Sequence, residues 1–163
     1  MKKLTILLGI MLALMLGFVG AFWFGGRLSA EPRVLTASAA DYPKVFDSIR
    51  QVLDSGAAPQ TFDANPLGDA SAYTMLDVTI ALANPGFFPA EWLHVDCAAQ
   101  PGDIAVYSLT GEGSDIPARG SGQVNLKLIT TARAAAGRTV TLEYYVHGMK
   151  RTLVVPPPEA DGQ

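Results

Sequence analysis

The sequence predicts a mainly β chain: an antiparallel β-sandwich preceded by an N-terminal transmembrane helix and one short amphipathic helix. Three observations carry this reading. Leu4 to Gly26 holds no charged residue over 23 positions, and a helix needs roughly 20 apolar-rich residues to cross a hydrocarbon core. Around residues 42–54 the apolar side chains recur at helical spacing. From Tyr73 to Val155 the period changes to two, in short runs parted by turn residues every 8–12 positions or so, which is the pattern of a sandwich.

The first segment reads as a retained signal anchor. A secretory signal carries an apolar region of roughly 7–15 residues and a small-residue cleavage site, and this run is longer. Leu28-Ser29-Ala30 is a poor site, because Leu28 is bulky where a small residue is preferred and Pro32 follows closely. Cleavage there would instead leave a secreted sandwich starting at Glu31. No cysteine ends the run, which argues against a lipoprotein anchor. Lys2, Lys3 and the terminal amine outweigh Arg27 and Arg33, so the positive-inside rule puts the N-terminus in the cytoplasm and the bulk of the chain outside. Within the run Gly9, Ala13, Gly17, Ala21 and Gly25 recur at every fourth position. Such a ridge of small residues lets a second helix backbone approach closely, so the expected partners are the lipid bilayer and, through this helix, a second copy or another membrane protein.

The chain divides into a cytoplasmic N-terminus (1–3), the transmembrane anchor (4–26), a stalk with helix and connection (27–72), the sandwich (73–155) and a solvated tail (156–163). Arg27 to Ala40 reads as a polar, small-residue stalk. Asp41 is placed as a helix cap and Pro43 in the first turn, ahead of Val45, Phe46, Ile49, Val52 and Leu53 on one face. A helix so short must bury that face on something, either on the sandwich or between it and the membrane. In the Pro/Gly/Asp-rich connection that follows, Phe62 and Leu67 are the docking points. Leu76, Val78, Ile80 and Leu82 then alternate with Met75, Asp77, Thr79 and Ala81, and Asn84-Pro85-Gly86 breaks the strand. Leu93, Val95 and Cys97 form the inner face of the next strand, with Trp92, His94 and Asp96 outside. Further strands run over Ile104–Leu109, Val124–Leu128, Val140–Val146 and Arg151–Val155, with Ile116-Pro117 as a short edge piece. Thr131 to Gly137 is a small-residue loop with room for one helical turn, and Pro156-Pro157-Pro158 stops the last strand.

Charge and cysteine content narrow the function classes. Lys2 and Lys3 account for two of the 12 basic residues, and the other ten face all 15 acids, so the part beyond the anchor carries about −5. No basic face is implied, which argues against nucleic acid as a partner. The lone Cys97 leaves no internal disulfide, and no Asn-x-Ser/Thr acceptor is present. These features suit a bacterial extracytoplasmic protein.

No motif gathers catalytic groups, so the expectation is a non-catalytic module without metal or cofactor. His94 and Asp96 share a strand face, but Cys97 points to the opposite side, and His147 has no ligand spacing to them; zinc needs three or four convergent ligands. Cys97 reads as a small buried hydrophobe. Gly120-Ser121-Gly122 is a turn rather than a nucleophile elbow, and Gly111-Glu112-Gly113 lacks the lysine of a phosphate loop. The rival reading is a small envelope enzyme built around His94 and Asp96. For partner contact the candidates are Phe87 and Phe88, which as turn residues either face a partner or cap the core, and Tyr145, which alternation with Tyr144 turns outward.

Leu76-Asp77-Val78-Thr79-Ile80-Ala81-Leu82-Ala83-Asn84-Pro85 resembles the long strand ending in Asn-Pro of type 2 late-embryogenesis-abundant (water-stress and hypersensitive response) domains. Ile116-Pro117-Ala118-Arg119-Gly120, followed by the strand from Val124 to Leu128, is similar to the same family. Tyr144-Tyr145-Val146-His147-Gly148 resembles the late strands of fibronectin type III-like sandwiches. Both resemblances imply an immunoglobulin-like β-sandwich and neither implies an enzyme. The expected function is therefore a single-pass, membrane-anchored accessory module, binding or structural, outside the cytoplasmic membrane.

Overall fold

The computed structural model describes residues 2–24, 26–131 and 137–158. Helix α1 (Lys2–Phe24) opens on Lys2 and Lys3 and carries no charge after them, and its large apolar side chains from Leu4 to Val19 are exposed. It is long and apolar enough to cross a membrane. Among the described residues eight strands follow: β1 (Ser29–Ser38), β2 (Gln60–Thr61), β3 (Tyr73–Ala83), β4 (Glu91–Cys97), β5 (Asp103–Thr110), β6 (Ser121–Thr131), β7 (Val140–Val146) and β8 (Met149–Val155). They form one sheet in the order β1-β3-β6-β5-β2 and a second in the order β4-β7-β8, all pairs antiparallel. Leaving aside the two-residue β2, four strands face three in the arrangement of an immunoglobulin constant-type sandwich.

The alternation read from the sequence sets the core. Leu76, Val78, Ile80, Leu82, Leu93, Val95, Val124, Leu126, Leu142 and Tyr144 are all buried in one cluster between the sheets. Cys97 is buried in the same layer. Phe62 packs on this cluster, whereas Leu67 packs on a second one.

That second cluster explains helix α2 (Pro43–Asp54), which lies on the outer face of the larger sheet. Phe46 and Ile49 pack there with Met75, Ile104, Ala105 and Ile129. The helix sits near the C-terminal end of β1, far along the sandwich from α1, so it does not lie between the sandwich and the anchor. Asp41 is not its cap. It closes a 3-10 turn (Ala39–Asp41) whose own cap is the Ser38 hydroxyl, accepting from the Ala40 N–H at 3.3 Å. Tyr42 occupies the N-cap position without a side-chain bond, and Pro43 begins the helix as expected.

The largest correction concerns the expected stalk over 27–40. Ser29–Ser38 is a full strand, paired along its whole length with β3, from Ser29 opposite Ala83 to Ser38 opposite Thr74. Leu28 is only 5 % exposed and belongs to the main core. The sandwich therefore spans Ser29 to Val155, with α2 and the connection inserted after its first strand. Pro32 is tolerated because β1 ends the sheet, where a missing N–H leaves no ladder bond unmade. The expected helical turn between Thr131 and Gly137 falls largely on residues outside the described ones, as does most of the tail.

Candidate functional site

The candidate site is the end of the sandwich at which α1 joins it. β1 starts there, opposite the end of β3. The β3–β4 loop (84–90), the β5–β6 loop (111–120) and the β7–β8 turn (147–148) all converge on it. Asn84, buried at 2 % exposure, ties these loops together. Its amide Nδ2 lies within bonding distance of the carbonyls of Phe88, Ile116 and Pro117 (2.8, 3.2 and 3.1 Å), and its Oδ1 accepts from the Gly86 N–H at 3.0 Å. The two stretches that carried the family resemblance, separate in sequence, thus meet at this one side chain.

The aromatic pair divides between the two roles the sequence left open. Phe88 is half-buried against the core, its ring 3.8 Å edge-on from that of His147. Phe87 is 59 % exposed, with the Arg119 guanidinium 4.4 Å over its face, a cation–π arrangement. Tyr145 is exposed on the outer face of β7, opposite Glu91.

A residue that the sequence placed outward but did not single out is Trp92, 74 % exposed. The pairing of β4 with β7 slips between Glu91 and His94, and Trp92 sits in that bulge at φ 56°. Its N–H is held by Asp115 Oδ1 at 3.0 Å. Bulges re-aim side chains. Left-handed backbone at a non-glycine residue costs of order 1–3 kcal/mol and clusters at functional sites. Among the described residues the other non-glycine positions with positive φ are Arg119 and His147, and both belong to this same end. His147-Gly148, both left-handed, form the two-residue turn that the right-handed twist of a hairpin favours.

Beside the junction with α1 lies a cleft of about 420 Å³ lined by Arg27, Leu28, Tyr144, Lys150, Arg151 and Thr152, among others. Lys150 also reaches Glu143 at 2.8 Å, and that hydrogen bond raises its pKa above the ordinary lysine value. A second groove, on the outer face of the larger sheet near α2, is lined by Leu35, Tyr42, Val45, Met75 and Tyr107.

His94 and Asp96 do share an outer face, yet each has a different partner. His94 Nδ1 lies 2.6 Å from Glu112 Oε1, on an exposed surface. Asp96 accepts from Gln60 Nε2 at 3.1 Å. Neither lines either 420 Å³ cleft. Cys97 points inward, and burial, reinforced by the charge of Asp103, pushes its thiol up to about 11; a nucleophilic cysteine needs the opposite shift. Among the described residues no group of three or more His, Cys, Asp or Glu could hold a metal. In α1, Gly9 and Gly17 have nothing of this chain close to the ridge they occupy. The Ala21 side chain and Gly25 lie outside the described residues.

No family model matches the chain, and no curated protein matches it either. Similar solved structures include the GAE domain of yeast GGA1, at 11 % identity and TM-score 0.39 over 56 % of this chain and 96 % of that one. Another is the structural genomics target SoR45, at 12 % identity and TM-score 0.43 over 82 % of this chain and 89 % of that one.

Proposed function

We propose that the chain is a single-pass membrane protein whose β-sandwich acts as a non-catalytic binding or structural accessory module outside the cytoplasmic membrane, with the N-terminus inside. The observation that carries this reading is the junction between helix and sandwich. Gly26, two positions after α1 ends, is packed so closely on Val146 that an added Cβ would lie 3.1 Å from its Cγ1. Leu28 is core. Cleavage after Ala30 would remove Leu28 and the first two residues of β1, and so would damage the fold it released. That favours an uncleaved anchor over a secreted domain.

The non-catalytic part rests on the separation of His94, Asp96 and Cys97 described above, since acid–base or nucleophilic chemistry needs such groups to converge on one reacting atom. Kinship with type 2 late-embryogenesis-abundant domains belongs to the same proposal, supported by Asn84 joining the two stretches that resemble them. Fractionation tests the anchor: the protein should stay in the membrane pellet through carbonate washing, and protease added from outside should reach the sandwich. Release into the supernatant would overturn the reading.

A further inference from the structure

We propose that the α1-proximal end of the sandwich rests on the lipid headgroup layer, with Trp92 and Phe87 at the interfacial level and Arg27, Lys150 and Arg151 facing lipid phosphates. This inference rests on the reading of α1 as a membrane anchor and specifies which surface the bilayer contacts.

The first argument is reach. Phe24 ends α1 and Gly26 already touches Val146; two residues of extended chain span at most about 7 Å. A sandwich so tightly tethered cannot stand clear of the bilayer that its helix crosses. The chain is also fastened to the sandwich from Gly26 onward: the Tyr144 hydroxyl bonds both Gly26 O and Leu28 N at 3.1 Å, and Leu28 is buried in the core, which leaves no length of stalk beyond Gly26.

The second argument is chemistry. Tryptophan and other amphipathic aromatics collect at membrane–water interfaces, where the ring is apolar and its rim is wet. Trp92 sits one strand across from the β7 residues at the junction. Its indole is turned out by a strained bulge rather than folded onto the sheet. Phe87 projects from the neighbouring loop with Arg119 stacked on it, which pairs an apolar wedge with a cation at phosphate height. On the opposite flank of the same end, Arg27, Lys150 and Arg151 line one cleft. Acids do stand nearby: Glu91 opposite Tyr145, Glu143 on Lys150, and Asp115 on the Trp92 N–H. With cations and acids nearly balanced, aromatic insertion rather than attraction to anionic lipid carries the contact.

The chain's two tryptophans supply the test. Trp23 lies in the last turn of α1 and Trp92 on the sandwich, so Trp23→Phe and Trp92→Phe each leave one reporter. Full-length protein is placed in phosphatidylcholine nanodiscs carrying a nitroxide on the headgroup or on the upper acyl chain. The expected result is that Trp92 emission shifts to the blue and is lost to the headgroup nitroxide. In a tryptophan-free background Phe87→Trp should behave in the same way. Tyr42→Trp, near the far end of β1, should keep its emission and remain open to aqueous acrylamide. Quenching of Trp23 with Trp92 still open to acrylamide would overturn the proposal while leaving the anchor intact. An unquenched Trp23 would overturn the anchor itself. The Trp92 reading needs only Trp23→Phe, a change in α1 that leaves the sandwich untouched, so the question stays answerable if Trp92→Phe folds poorly.

Discussion

The Tyr144 hydroxyl, on the second strand of the smaller sheet, donates to Gly26 O and accepts from Leu28 N, each at 3.1 Å. One buried phenol thus stitches the end of the apolar helix segment to the sandwich core. Tyr144→Phe keeps the ring in the core but leaves two buried backbone groups without that partner, which should cost about 1–3 kcal/mol. Urea titration of the detergent-solubilised protein measures it. Tyr145→Phe, on the exposed side of the same strand, should change stability little.

At the other end of the sandwich, the Arg138 guanidinium grips the Asp103 carboxylate through Nε at 3.0 Å and Nη2 at 2.5 Å, both side chains fully buried. Gln100 supports both partners, its Oε1 accepting from Arg138 and its N–H reaching Asp103 Oδ2. Removing one partner strands a buried charge, so Arg138→Met should destabilise by about 3–5 kcal/mol. The double variant Arg138→Met/Asp103→Leu should recover a large part of that loss, because an apolar pair carries no desolvation penalty. Thermal melts of the two variants side by side give the comparison.

Cys97 makes stability depend on alkaline pH. Burial, then the charge of Asp103, raises its thiol from 9.0 to about 11. The unfolded chain therefore loses this proton first, and the folded state binds more protons between those values. Stability is intact below pH 9 and falls as pH rises from 9 towards 11. Other groups titrate there too, so the expected observation is a difference: Cys97→Ala should show a shallower decline than the parent. Native Cys97 should also resist alkylation at pH 8 until the protein is unfolded.

These relationships differ in how far they can be read from sequence. The inner faces of β3, β4 and β7 are legible because strands with one face on the core must alternate, and Leu76 to Leu82 do so without exception. β1 escapes because it is an edge strand: Pro32 is harmless there, and Leu35 and Ser38 are exposed where a central strand would bury or pair them. Its one clear signal is the inward Val34 beside the buried Leu28. The Asp103–Arg138 pair lies 35 residues apart, between loops with no local periodicity. Phe87 and Phe88 are indistinguishable as neighbours in a turn, and only the Asn84-braced loop decides which one packs. The Trp92 bulge is invisible because the inward positions resume with Leu93, so the period of two survives the slip.

Gly17 tests whether α1 pairs with another helix. A leucine there would hold two backbones apart and remove the close packing that the ridge of Gly9, Ala13 and Gly17 allows. Crosslinking of the isolated segment in membranes should fall for Gly17→Leu and change less for Leu14→Ala or Leu16→Ala, at matched expression. Equal crosslinking for Gly17→Leu and the parent would leave α1 as a tether without a helical partner.

The most direct test of the central claim is the intact mass and N-terminal sequence of the protein recovered from carbonate-washed membranes. The account predicts a chain that retains α1, continuous through Gly26 and Leu28 into β1. A mature N-terminus at Glu31 would contradict it, showing that α1 is removed and that the sandwich stands without Leu28 in its core.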